Sequence, residues 1–249
     1  MANEIELARS AYETGDSDRA MELMRSRLRT VRDDGGAWEL LGLLQYGRQR
    51  FRTAVSSLER ASLLVPLRPA GRVCLAHAYG RIGRRQLSKD LLLELIKDQS
   101  MSSELLLQVA SGLDSIDQPY YAMQACRKVS QRDPECAHAF YDMGYYAARC
   151  GQSSQVVEYL ARKAISLDPG RVNYRVGLAS LLLRLERRDD AIQLVCSFSN
   201  EQIEEIGCAN CLLRVTSLYE ASGDYRRAIL CHQRLIQREL QNPGAAGGC

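Results

Sequence analysis

Residues 37–66 read AWELLGLLQYGRQRFRTAVSSLERASLLVP. Trp38, Leu41 and Gln45 are three and four positions apart, so they share one face of a helix. Gly42 has no side chain and lets a partner helix approach closely. Ala54 and Ala61 put equally small residues on a second amphipathic segment, which Pro66 closes. The pattern predicts two short helices packed as an antiparallel pair. Such a pair is too small to bury its own apolar face, so copies of it should stack on one another.

Taken together, Trp38, Leu41, Gly42, Gln45, Ala54, Leu58, Ala61 and Pro66 resemble the tetratricopeptide family, whose unit of about 34 residues opens with W-x2-L-G. The resemblance implies an all-α fold: a right-handed α-solenoid of stacked helix-turn-helix repeats whose first helices line a concave groove. Read in this frame the chain holds about seven copies, at approximately 3–34, 35–68, 69–101, 102–135, 136–170, 171–203 and 204–241. They form a single solenoid over 3–241 of about fourteen helices, followed by a loose Gly/Ala tail at 242–249. The first copy keeps Ala8, Tyr12, Gly15 and Ala20 but lacks Trp and Pro. The fourth starts its second helix at Pro119, where a missing N–H costs nothing. The fifth has one extra residue before Ala164, and the sixth has a second helix that stops near Phe198–Asn200. SFSNEQIEE, which follows, is either a turn or the cap of the seventh copy, with Ser199 or Asn200 at the N-cap.

The bulk properties agree with this frame. The 249 residues are 46% hydrophobic and 25% charged, which excludes wholesale disorder. A net charge of +3 is too mild to imply nucleic acid, which is an unlikely partner on this reading. No apolar run is long enough for a membrane span. Nine cysteines, an odd number spread through helical patterns, do not form a secreted disulfide framework; they read as reduced, small hydrophobes of a cytoplasmic protein.

The family's groove positions, carried over by the resemblance, give Tyr46 in the second copy, Val73, His77 and Arg81 in the third, and Leu107 and Ser111 in the fourth. The fifth gives Tyr141, Tyr145 and Arg149, and the sixth Val176, Ser180 and Arg184. Tyr141 and Tyr145, one helical turn apart with Arg149 a turn further on, form either an anchor for a partner's side chain or packing between copies. The lysine-asparagine clamp by which some members grip a C-terminal carboxylate is absent: its positions read Ile5, Arg9, Glu39, Leu43, Val73 and His77. A second regularity is arginine at the turns between paired helices. Arg48, Arg50, Arg81, Arg84, Arg85, Arg187 and Arg188 form a discontinuous basic rim that either steers an acidic partner or only favours helix C-termini and solubility.

Chemistry is sparse. His77, His138 and His232 fall in different copies, and Cys208-Ala-Asn-Cys211 has no second half for a zinc site. With no nucleophile–base set and no glycine-rich phosphate loop, we expect no enzyme, no cofactor and no metal. The function expected is a non-catalytic scaffold or adaptor that binds a peptide or helix of a protein partner, an acidic one if the rim takes part, in the concave groove. The alternative is a regulatory or substrate-presenting subunit beside an enzyme or a secretion or assembly machine. Self-association through the terminal copies is a further expectation.

Overall fold

A computed structural model describes residues 4–241, and every regular element among them is a helix. The Gly/Ala tail and Cys249 lie outside the described residues. Two compact units divide the chain, residues 1–133 and 134–249.

The first unit holds four antiparallel helix pairs: α1 (Glu4–Glu13) with α2 (Ser17–Thr30), α3 (Gly35–Gly47) with α4 (Phe51–Leu64), α5 (Pro69–Arg81) with α6 (Arg85–Lys97), and α7 (Ser103–Ser115) with α8 (Pro119–Arg132). Each second helix packs on the next first helix, and first helices also touch one another (α1 with α3, α3 with α5, α5 with α7). This is a helical solenoid. Its core is continuous because Met21, Met24 and Leu28 of α2 pack with Leu40, Leu41 and Leu44 of α3. Val55 and Leu58 of α4 pack in the same way with Leu75 and Ala78 of α5.

The second unit repeats the plan with α9 (Ala137–Arg149) and α10 (Ser154–Leu167), α11 (Val172–Arg184) and α12 (Arg188–Val195), and α14 (Ala209–Ser222) and α15 (Tyr225–Gln241). Between α12 and α14 stands a one-turn helix, α13 (Asn200–Glu204), started by a capping box of Ser199 and Gln202. SFSNEQIEE therefore contains a short helix of its own. The cap of α14 is Cys208, whose Sγ accepts from the Cys211 N–H. Phe198, Ile203 and Ile206 are fully buried around α13, which explains why α12 can be short.

One local device builds all seven pairs. A residue with positive φ follows each first helix: Gly15, Gln49, Gly83, Asp117, Gly151, Glu186 and Gly223. The next N–H then reaches back to a carbonyl of the last helical turn, for example Asp16 N–H to Ala11 C=O at 2.8 Å and Arg50 N–H to Gln45 C=O at 2.9 Å. The same bond recurs from Arg84 to Tyr79, Gln118 to Leu113, Gln152 to Ala147, Arg187 to Leu182 and Asp224 to Tyr219. This 6→1 bond is the Schellman motif, which satisfies a carbonyl left open at a helix C-terminus.

The reference pair shows why its small residues matter. A Cβ on Gly42 would stand 2.6 Å from Leu58 Cγ, so this glycine admits a leucine of the partner helix. Trp38 is half-buried, packs against the core of the first two pairs, and donates its Nε1–H to Arg32 C=O at 2.8 Å.

Candidate functional site

In the first unit the helices α3, α5 and α7 bring four of the groove residues together. Tyr46, His77, Arg81 and Ser111, with Gly47, Gln49, Phe51, Gly112 and Ser115, line an open cavity of about 420 Å³. Its floor is fixed by hydrogen bonds. His77 Nε2 lies 2.9 Å from Gln108 C=O, and its Nδ1 lies 3.1 Å from Tyr46 Oη. A carbonyl can only accept, so Nε2 carries the proton and Nδ1 accepts from the tyrosine. Burial lowers the His77 pKa, the bond to Gln108 opposing it, so the ring is neutral at neutral pH. Phe51 meets Tyr46 edge to face at 5.7 Å, and the Arg81 guanidinium sits 5.0 Å above the Phe51 ring. The result is two aromatic rings, one cation and two serines around a depression that spans three repeats.

His77 holds its place because α7 offers a gap: a Cβ on Gly112 would lie 2.4 Å from His77 Nε2. The arrangement recurs. A Cβ on Gly71 would lie 2.4 Å from Glu39 Oε1, and one on Gly177 2.5 Å from Tyr141 Oη. Each is a side chain of one first helix lodged in a glycine gap of the next. Glu39 is almost fully buried there and accepts from the backbone N–H and the Nε of Arg68, both at 2.9 Å.

In the second unit Tyr141 is therefore held by packing. Its ring lies 4.6 Å from that of Tyr174, and burial pushes its hydroxyl pKa up to about 12. Tyr145, one turn on, is half-exposed and meets Tyr146 edge to face. Arg149 and Arg184 are exposed. Ser180 donates to Val176 C=O and receives a bond from Arg214 Nη1 at 3.2 Å. Arg214 escaped the sequence reading because its reach to α11 from α14 depends on tertiary packing. Val73 and Val176 are 1% and 2% exposed and contribute to the core, with no free surface; Leu107 is half-buried.

The turn arginines divide in two. Arg48 pairs with Asp18 at 2.8 Å, Arg84 with Glu59 at 3.1 Å, and Arg187 with Glu158 at 2.8 Å and with Asp190. Asp18, Glu59 and Glu158 each belong to the second helix of the preceding pair, so these arginines tie neighbouring repeats at the surface, where such pairs are worth little. Arg50 and Arg188 are exposed. Arg85 lines a shallow recess of about 230 Å³ with Gln86, Lys89, Ile116, Asp117 and Gln118.

Among the described residues seven cysteines, Cys74, Cys126 and Cys231 included, are free thiols. Burial pushes Cys74 and Cys231 up to about 11, which makes them unreactive packing residues. Cys208, read from the sequence as a thiol, is disulfide-bonded instead. Among the described residues no three His, Cys, Asp or Glu side chains converge as metal ligands. No described helix is long and apolar enough to cross a membrane.

Comparison with known proteins agrees with this architecture. Residues 212–246 match the family model described as tetratricopeptide repeat. No curated protein matches the chain in sequence. Among solved structures, a tetratricopeptide repeat protein from Parabacteroides merdae aligns with a TM-score of 0.69 at 17% identity, over 94% of this chain and 91% of that one. The C-terminal part of a repeat-containing protein from Cytophaga hutchinsonii aligns with a TM-score of 0.66 at 11% identity, over 96% of each chain. YrrB, described as a tetratricopeptide protein with an unusual peptide-binding site, aligns with a TM-score of 0.58 at 17% identity, over 74% of this chain and 90% of its own. The chain carries a tetratricopeptide repeat in its last helix pair and has the fold of tetratricopeptide-repeat proteins.

Proposed function

We propose that the chain is a non-catalytic protein-recognition scaffold, and that the first unit receives a segment of a protein partner across α3, α5 and α7. The observation that carries this reading is the cavity bounded by Tyr46, Phe51, His77, Arg81 and Ser111. Aromatic rings with few rotatable bonds beside a guanidinium favour an aliphatic or aromatic side chain flanked by a carboxylate. The exposed Arg50 at the start of α4 adds to the positive field on the side of the turns. The peptide-binding site attributed to YrrB supports the same use of this fold. In the second unit Tyr145, Arg149 and Arg214 form a subsidiary exposed set, with Tyr141 as its packed base. On this reading the protein works through what it holds, with no reaction of its own.

The test is selection from a random peptide library, followed by calorimetry with the selected sequences. Ser111→Trp fills the cavity from an exposed position and should weaken binding about tenfold or more, as should Arg81→Glu. Tyr159→Ala, on the second helix α10, should leave affinity unchanged. Selected peptides that bind Ser111→Trp and wild type equally would show that the cavity is not the site.

A further inference from the structure

The last helix presents an apolar stripe to solvent. Tyr225, Ile229, Ile236 and Leu240 of α15 are 66%, 56%, 57% and 78% exposed. At 100° per residue all four fall within one quarter of the helix circumference. Counted from the positive-φ residue of the turn, Ile229 and Ile236 occupy the register of Met21 and Leu28 in α2, which pack with the next first helix. The stripe thus has the register of an inter-repeat contact surface and is exposed among the described residues. The first helix differs. The residues of α1 that correspond to Leu40, Leu41 and Leu44 of α3 are Glu6, Leu7 and Ser10, a mostly polar set.

The stripe is symmetric about a point between His232 and Gln233. Tyr225 and Leu240 are equidistant from that point, and so are Ile229 and Ile236. The sequence also places opposite charges at the symmetric positions 226 and 239. We propose that α15 pairs antiparallel with α15 of a second copy of this chain, Ile229 against Ile236 and Tyr225 against Leu240 in both directions. A two-fold contact needs a self-complementary patch, and an apolar palindrome on one helix supplies it. The four side chains expose on the order of 500 Å² per protomer, so pairing removes on the order of 1,000 Å², the low end of a specific interface. Association is accordingly weak and concentration-dependent. The surface shares no residue with the cavity of the first unit, so the two proposals fail independently.

Sedimentation velocity of the full chain over a wide concentration range, under reducing conditions that exclude intermolecular disulfides, reads the result. Wild type should pass from monomer to dimer. Ile229→Lys and Ile236→Glu, both at exposed positions and checked for folding by circular dichroism, should each shift the midpoint about tenfold or more upward in concentration. The double variant Ile229→Lys/Ile236→Glu should recover dimerisation, because antiparallel pairing sets each lysine against a glutamate. An equimolar mixture of the two single variants should recover it as well. A wild type that stays monomeric throughout, or a dimer indifferent to Ile229→Lys, overturns the proposal. Single variants that dissociate while neither the double variant nor the mixture recovers would overturn the antiparallel register.

Discussion

His77 and Tyr141 do the same structural task in the two units, with different consequences for the surface. Each ring enters a glycine gap on the next first helix, Gly112 and Gly177 respectively. His77 is a small ring held by two hydrogen bonds, and it leaves Tyr46, Phe51 and Arg81 around an open cavity. Tyr141 is larger, fills its gap with its own hydroxyl, and stacks on Tyr174, so the exposed ring at this point is Tyr145. A groove position on a repeat becomes floor or surface according to what the next helix offers it. Residue type alone does not decide the matter.

The largest effects should come from closing the gaps. Gly112→Ala drives a methyl into the imidazole, which then loses the Gln108 bond as well as its place. We expect a loss of about 2–4 kcal/mol in urea unfolding, from overpacking plus an unpaired buried polar group. Gly177→Ala should cost about 1–3 kcal/mol, because Tyr141 meets the methyl through its phenol edge without forfeiting a hydrogen bond to α11. A double-mutant cycle of Gly112→Ala with His77→Ala sharpens the contrast. The combined loss should fall short of the sum of the single losses by about 1 kcal/mol or more, and additive losses would mean that the two residues do not compete for one space.

Smaller effects follow from the turns. Glu186 has a φ of 59° and is exposed, and Gly151 has a φ of 72° in the preceding turn. Glu186→Gly should stabilise the chain by about 0.5–1 kcal/mol, and Gly151→Ala should destabilise it by about 1–2 kcal/mol, because only glycine enters the left-handed region without strain. Thermal melts of the two variants moving in the same direction would contradict the geometry of the repeated turn.

The smallest effect is a pH dependence specific to the first unit. His77 has a lowered pKa in the folded chain. The unfolded chain therefore binds its proton first as pH falls. His77 contributes fully above the unfolded value of about 6.5, and that contribution is lost progressively as pH drops toward the folded value. Urea midpoints between pH 7 and 5 should decline for wild type, and the decline should be shallower in His77→Gln. Equal slopes would remove His77 from the pH response.

Much of the fold was legible because its signals are local. The glycines at 15, 83, 151 and 223 mark four of the seven turns, and Pro119 marks a helix start. The positive φ at Gln49, Asp117 and Glu186 was not legible as such, since those residue types adopt it only when the Schellman bond and the flanking helices impose it. Helix α13 is half-legible: the sequence offers Ser199 or Asn200 as a cap of the seventh copy, but a separate helix emerges only with the burial of Phe198, Ile203 and Ile206. At the candidate site the sequence pointed to Tyr46, His77 and Ser111 singly. It named Arg81 as a groove position too, and gave no sign that these residues share a cavity with Phe51.

By itself, then, the sequence determined the helix pairs and their number, because capping, periodicity and small-residue spacing act within about ten residues along the chain. Tertiary structure alone decided which side chains of the first helices are packed and which are left at the surface. That choice rests on residues more than thirty positions apart, Glu39 with Gly71, His77 with Gly112 and Tyr141 with Gly177, whose fit exists only once neighbouring helices are packed against one another.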